Sequence, residues 1–251
     1  MAGTSDISFV QSQFDELVAR RGKLVNWQAA YQCSCWTIQQ GGSGGPTWDC
    51  KACGGTGFLY QSAVTARVVV QGIDTHRNFL PAGTWQAGDV VASIPNLAQV
   101  QTPGPTGTVI TWAPHPMWRI GMDDLVYLTD SEQRSSWTLI KGEPLNKWAA
   151  DTLPHPAGAI VEVLSVLSSD PVSGDVTTYT VGDDFTVNGN QIVWNPSGTN
   201  AQNLADGTQY SVTYTHYTTY TVYMDVPQPR DQDGQHMPRK VMLRLKGVGE
   251  Q

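Results

Sequence analysis

Charge is what this sequence has least of. Asp, Glu, Lys and Arg make up 15% of its 251 residues, where soluble domains average ~25%, so Thr, Ser, Asn, Gln and Gly must cover much of the surface. Lys and Arg are missing altogether from Trp148 to Pro229. The longest uninterrupted apolar run is Leu125 to Leu128, far below the ~20 residues of a membrane-spanning helix. The first residues lack the basic-then-apolar pattern of an export signal, and the expectation is a soluble chain made in the cytoplasm. Cysteine is scarce, at four residues. Helical apolar spacing is confined to the first two dozen residues, which excludes helical bundles and coiled coils.

What is abundant points to β structure. Twenty-five Gly and fifteen Pro punctuate the chain, and nine Trp and nine Tyr join many Thr in the runs between; Gly and Pro favour turns, while aromatic and β-branched residues favour pleated surfaces. The fold class expected is mainly β: an N-terminal helix and a small four-cysteine module, then a β-barrel or sandwich region and a second β module. Thr4, Ser5 and Asp6 offer N-caps to a helix of about four turns carrying Ile7, Val10, Phe14, Leu17 and Val18, with Gly22 behind its basic last turn. Residues 1–24 form that helix, 25–62 the cysteine module, 63–154 a barrel-like domain, 155–226 a sandwich-like module and 227–251 a C-terminal arm or strand. Strands are expected at Val64–Gln71, Asp89–Ile94, Thr108–Trp112, Asp124–Leu128 and Trp137–Lys141. Leu145 to Pro156 reads as a connection. Asn188-Gly189-Asn190, between Phe185-Thr186-Val187 and Gln191-Ile192-Val193-Trp194, is the strongest hairpin signal. The even-numbered apolar phase of Tyr210, Val212 and Tyr214 continues through Tyr220 and Val222, longer than one strand usually runs, so a bend or bulge is expected near Tyr217 to Thr219.

The net charge is −7, and its distribution says more than its total. Asp151, Glu162, Asp170, Asp175, Asp183, Asp184, Asp206 and Asp225 fall in the stretch without cations, while Arg20, Arg21 and Lys23 lie in front and Arg239, Lys240, Arg244 and Lys246 behind. An acidic chain without a large basic face is ill suited to nucleic-acid binding as its main activity. Copies of it would attract one another end to middle, unless these charges are simply solvated faces of unrelated segments.

The chemistry is concentrated in the cysteines. Cys33-Ser34-Cys35 and Cys50-Lys51-Ala52-Cys53 are two pairs separated by fourteen residues, and Gly54, Gly55 and Gly57 follow. Tetrahedral zinc takes four thiolates, commonly supplied as two short pairs, and glycine after the second pair lets backbone N–H groups turn towards the sulfurs. Cys33, Cys35, Cys50 and Cys53 are therefore the expected ligands of a structural Zn2+, with two disulfides or four free thiols as the alternatives. Four thiolates leave no coordination position for water, so such a metal holds a module together and does no catalysis.

No catalytic constellation stands beside it. His76, His115, His155, His216 and His236 are scattered, and Ser43, between Gly41 and Gly45, mimics a nucleophile elbow only inside a glycine-rich linker. Asp123-Asp124 and Asp183-Asp184 sit where turns explain them. The expectation is no catalytic residue, no organic cofactor and no enzymatic activity. A zinc-ribbon nucleic-acid binder using Lys51 with Arg20, Arg21 and Lys23, and a β-barrel hydrolase, are the competing classes.

Three stretches carry a resemblance. Tyr179-Thr180-Val181-Gly182-Asp183-Asp184-Phe185 through Trp194, closed by Gly207-Thr208-Gln209-Tyr210-Ser211-Val212-Thr213-Tyr214, resembles a small β module recurrent in tailed-bacteriophage virion proteins. Val25-Asn26-Trp27-Gln28-Ala29-Ala30 leading to the first cysteine pair, with Trp48-Asp49 before the second, is similar to another phage pattern, and Pro81-Ala82-Gly83-Thr84-Trp85 through Pro95 looks like a barrel segment of the same class. The resemblance implies a structural virion protein assembled in the bacterial cytoplasm, most of all a ring-forming neck protein joining head to tail. Its partners would be copies of itself and a portal, tail-terminator or other connector protein, with no membrane and with DNA met only in a channel. A baseplate or tail-fibre attachment protein is the alternative within the virion.

Overall fold

A computed structural model of the chain describes residues 10–37, 44–47, 50, 52–72, 86, 88–104, 107–143, 150–170, 172–226, 231–232 and 235–246. The proposed caps Thr4, Ser5 and Asp6, residues 41–43 of the glycine-rich linker with Ser43 among them, Trp48, Asp49, Lys51, His76, the stretch from Pro81 to Trp85 and residues 145–149 of the expected connection lie outside the described residues. The chain is mainly β and divides into two compact units. The first comprises Met1–Ala30, Ser62–Leu128 and Tyr220–Lys246, the second Tyr31–Gln61, Thr129–Thr219 and Gly247–Gln251.

In the first unit, helix α1 covers Gln11–Arg21 and strand β1 covers Lys23–Gln28. Gly22 ends the helix in extended backbone, φ −63°, not in the left-handed turn its position suggested. It is glycine for space, since a Cβ there would lie 2.5 Å from the Val18 carbonyl oxygen. The cysteine module contributes β2 (Ala30–Gln32), β3 (Trp36–Thr37), β4 (Gly45–Pro46) and β5 (Phe58–Tyr60). Then come β6 (Val64–Gly72), β7 (Val90–Ile94), β8 (Leu97–Gly104), β9 (Gly107–Pro114) and β10 (Leu125–Ile140). The remainder is β11 (Ile160–Ser169), β12 (Val176–Tyr179), β13 (Phe185–Asn188), β14 (Gln191–Trp194), β15 (Gln209–Asp225), β16 (Asp231–Gln232), β17 (Gln235–His236) and β18 (Arg239–Leu245).

Within the first unit the strand order is β10–β1–β6–β7–β18–β15, and β15 pairs β10 again, so the sheet closes on itself. The seam is visible at Val222, whose N–H donates to the Asp124 carbonyl while its own carbonyl accepts from Asp123 N–H, at 2.9 and 2.8 Å. Alternation places Val25 and Trp27 of β1, Ala66 and Val68 of β6 and Val241 and Leu243 of β18 inside. The C-terminal strand is thus an interior member of the barrel, and β1 belongs to that barrel although it adjoins the cysteines. Closure of a barrel needs strands from distant stretches of chain, which the linear partition at residues 24, 62, 154 and 226 could not express.

One strand expectation is corrected. Asp124–Leu128 and Trp137–Lys141 belong to one sixteen-residue strand, because the polar residues between them occupy a solvent-facing stretch that still pairs. At the position where a bend or bulge is expected, Thr218, Thr219 and Tyr220 are buried in succession and the alternation of β15 breaks, while the strand continues to a register shift between Val222 and Met224.

The second unit pairs β11 with β12 and β15, and lays the β13–β14 hairpin over a core containing Leu139, Val166, Ile192, Tyr210 and Tyr214. The hairpin turns where expected, with Gly189 at φ 64°. Trp194 is its hub, meeting Tyr179, Phe185 and Tyr210 edge-on with centroids 5.1, 5.9 and 5.0 Å away. Asp151, itself at φ 56°, fixes this hub by accepting from Tyr210 Oη at 2.6 Å and Trp194 Nε1 at 3.3 Å. Burial, and then the Asp151 carboxylate, push the Tyr210 phenol up, so it remains a donor.

Candidate metal centre

Cys33, Cys35, Cys50 and Cys53 converge, with all four sulfurs within 4.8 Å of one another. The module achieves this by local backbone bonds. Cys33 N–H donates to the Gly57 carbonyl at 2.7 Å and Trp36 N–H to the Cys33 carbonyl at 3.2 Å, closing the first pair into a turn. Gly54 N–H donates to the Cys50 carbonyl at 2.8 Å and Thr56 N–H to the Cys53 carbonyl at 3.1 Å, closing the second. Gly54, Gly55 and Gly57 adopt φ of 60°, 78° and 82°, the left-handed region where a side chain is strained. Gly57 N–H then points at the Cys53 sulfur, 3.3 Å away, and the Trp36 indole donates to the Gly57 carbonyl at 2.8 Å.

The distances exclude the disulfide reading. Cys33 and Cys50 sulfurs are 3.8 Å apart and Cys35 and Cys53 sulfurs 3.5 Å, whereas a disulfide needs ~2.05 Å. The close pairs also run across the two sequence motifs and not within them. A tetrahedron with metal–sulfur bonds of ~2.3 Å has sulfur–sulfur edges of about 3.8 Å, so the four cysteines are placed to hold one metal ion. The electrostatics are consistent with that donor set. As bare thiols they resist ionising together: burial and the sulfurs of Cys53 and Cys33 push Cys35 up to about 12. Backbone N–H groups of Cys53 and Ala52 bring Cys50 down to about 7, so it forms a thiolate far more readily than Cys35. A cation at the centre would let all four ionise together.

The remaining candidates are placed as follows. Asp124 is structural: it accepts from Trp27 Nε1, Ala30 N–H and Gly121 N–H at 2.8, 2.7 and 2.8 Å. Asp184 accepts from the backbone N–H groups of Thr180, Asn200 and Ala201 at 2.8, 2.7 and 2.9 Å. His115 caps a 3-10 turn at Pro116–Arg119, accepting from Met117 N–H at 3.2 Å, and burial lowers its pKa. Of the basic clusters, Arg20 pairs with Glu16 at 2.5 Å, Arg239 with Asp225 at 3.0 Å, and Arg244 with Asp89 at 3.4 Å while lying over the Tyr223 ring. Much of the basic tail is therefore turned towards acids of its own unit.

Sequence reading missed one constellation. His155 and His216, taken as scattered, stack with centroids 3.5 Å apart; His155 Nδ1 lies 2.7 Å from Tyr214 Oη and His216 Nε2 3.0 Å from Ser135 Oγ. The even phase of β15 places Tyr214 and His216 on one face, but no local signal brings residue 155 to them. Compared with known proteins, the chain matches no family model, and no curated protein is similar to it.

Proposed function

We propose that this chain is a non-enzymatic structural subunit of a tailed-bacteriophage virion, a ring-forming neck protein whose small cysteine module is held by one Zn2+. The observation that carries the structural role is the closed set of four sulfurs. With Cys33, Cys35, Cys50 and Cys53 all bound, zinc has a complete shell and no position for a substrate. Its work is to fix a module whose strands are two or three residues long, too little to hold a core of its own. The virion assignment is supported by the resemblance of Tyr179 to Tyr214, a stretch that folds around Trp194 as a compact unit with the β13–β14 hairpin. A chain with few charges and two β units suits assembly by surface complementarity, with copies of itself and with portal or tail-terminator proteins as neighbours.

The experiment is assembly and location. Purified full-length chain at rising concentration, followed by native mass spectrometry and negative-stain microscopy, is expected to give closed rings. Gold-labelled antibody on particles is expected to mark the head–tail junction, and a label at the baseplate would move the assignment to the tail tip. A strict monomer that binds neither portal nor tail-terminator protein would overturn the reading.

A further inference from the structure

The four sulfurs of the metal centre are not equivalent. Cys33 and Cys53 are buried, at 3% and 9% of full accessibility, while Cys35 and Cys50 are half-buried. The close contacts join unlike members of the set: buried Cys33 meets half-buried Cys50 at 3.8 Å, and buried Cys53 meets half-buried Cys35 at 3.5 Å. Each close pair therefore holds one sulfur that a small solute can reach and one that is shielded. Each also spans the two sequence motifs, across 17 and 18 residues of chain.

Bonding across a close pair asks little of the module. The sulfurs must approach by roughly 1.5 to 1.8 Å to reach disulfide length, a distance that side-chain rotation supplies. Bonding within the first motif asks more. One residue separates Cys33 from Cys35, so a bridge between them closes a strained ring, and the turn that carries them is already fixed by Cys33 N–H on the Gly57 carbonyl and Trp36 N–H on the Cys33 carbonyl, at 2.7 and 3.2 Å. In the second motif, Cys53 is committed elsewhere: its sulfur makes the shorter of the two close contacts, with Cys35, and accepts from Gly57 N–H at 3.3 Å.

We infer that hydrogen peroxide converts this centre into two disulfides that cross the motifs, Cys33 to Cys50 and Cys35 to Cys53, so that covalent ties replace the metal. The inference rests on the four-sulfur reading of the site given above. The chemistry balances pair by pair. The reachable thiolate, Cys50 or Cys35, attacks the peroxide; the O–O bond breaks, one oxygen stays on sulfur as sulfenic acid and the other leaves as hydroxide. The shielded thiolate, Cys33 or Cys53, then attacks that sulfur; an S–S bond forms, the S–O bond breaks and a second hydroxide leaves. Two thiolates give up two electrons and one peroxide takes them. A disulfide offers no thiolate to a cation, so the ion is released with its charge unchanged.

The pairing decides what survives. Bridges within the motifs would leave the two turns joined by chain alone, whereas bridges across them connect the turns where the ion had done so, each closing a short loop. For a subunit made in a reducing cytoplasm and carried out of it in a particle, the exchange keeps the module shut in surroundings that favour disulfides over thiols.

The test uses the full-length chain, purified with zinc in reducing buffer, freed of reductant and titrated with hydrogen peroxide. Released zinc is read with a chromophoric chelator and thiols by titration. Bridges are read by mass spectrometry of unreduced digests cut after Trp36, Trp48 and Lys51, with electron-transfer fragmentation separating Cys33 from Cys35. Full zinc release and loss of all four thiols are expected at about two peroxides per chain, with bridges Cys33 to Cys50 and Cys35 to Cys53. The amides of Cys33 and Trp36 are expected to exchange with deuterium at least about tenfold more slowly in the oxidised chain than in the chelated, reduced chain. Any other pairing overturns the inference, as do sulfinic acids without bridges, thiols that persist in excess peroxide, or equal amide exchange in the two forms. A chain that never holds zinc yet forms these two bridges overturns the metal reading and leaves the pairing standing.

Discussion

His155 and His216 lie ring on ring, 3.5 Å between centroids, inside the second unit. Around His216 are the His155 and Tyr214 rings, the Ser135 hydroxyl and the Tyr217 carbonyl, and none is a carboxylate that would hold an imidazolium. Burial accordingly lowers the His216 pKa. The unfolded chain, with histidine near ~6.5, binds more protons than the folded one in mild acid, so stability is present above that value and falls as pH drops through and below it. Thermal unfolding between neutral and mildly acidic pH is expected to show a falling midpoint, with a shallower slope in His216→Gln. An equal slope in the variant would show that this pair is not responsible.

The metal centre predicts its own stoichiometry. Metal analysis in reducing buffer is expected to give one zinc per chain. Cys53→Ser or Cys50→Ser should lose the metal and the order of residues around it while the barrel keeps its strand signal in circular dichroism. Acidification should release the ion, because thiolates take up protons. After chelation Cys50, brought down to about 7 by the N–H groups above it, is expected to react faster than Cys35 with a thiol reagent at neutral pH. Full protein with no bound metal would refute the assignment.

Gly57 is the backbone position most exposed to substitution. At φ 82° a Cβ would fall 2.5 Å from Trp36 Nε1, displacing the indole from the carbonyl it bonds. Gly57→Ala is expected to weaken zinc retention against a competing chelator by at least about tenfold, a loss of roughly 1.4 kcal/mol, without altering the second unit's hydrophobic core.

Asp184 ties three backbone N–H groups to a buried carboxylate. Burial alone would push this carboxyl up, but the N–H groups of Thr180, Asn200 and Ala201 hold it below the usual range, so its contribution is present near neutrality and is lost as pH falls through the carboxyl range. Asp184→Ala orphans those donors and is expected to cost about 3 kcal/mol or more by denaturant unfolding.

Local chemistry was legible in the sequence and long-range closure was not. The two cysteine pairs with their glycines announced a four-sulfur site, and Gly189 announced the hairpin, because turn and ligand geometry are set within a few residues. Strand β8 went unread although Gln99 and Gln101 alternate with Ala98 and Val100, because its apolar residues are few and Pro103-Gly104 reads as a turn. The polar middle of β10 carries no apolar alternation to mark it as strand, because its residues are exposed or half-buried on both faces. The barrel's order could not be read at all, since β18 sits between β7 and β15 through pairings that no local pattern encodes. The stack of His155 on His216 belongs to that class too.

The discontinuity of the first unit has a consequence during synthesis. Strands β1, β6 and β7 leave the ribosome early, yet the ring of hydrogen bonds needs the end of β15 and all of β18, which emerge after the whole of the second unit's described strands. Until then β7 has an open side and the faces of Val68, Ala92 and Ile94 lack their cover. The second unit can finish first, and the barrel seals only after β18 has emerged.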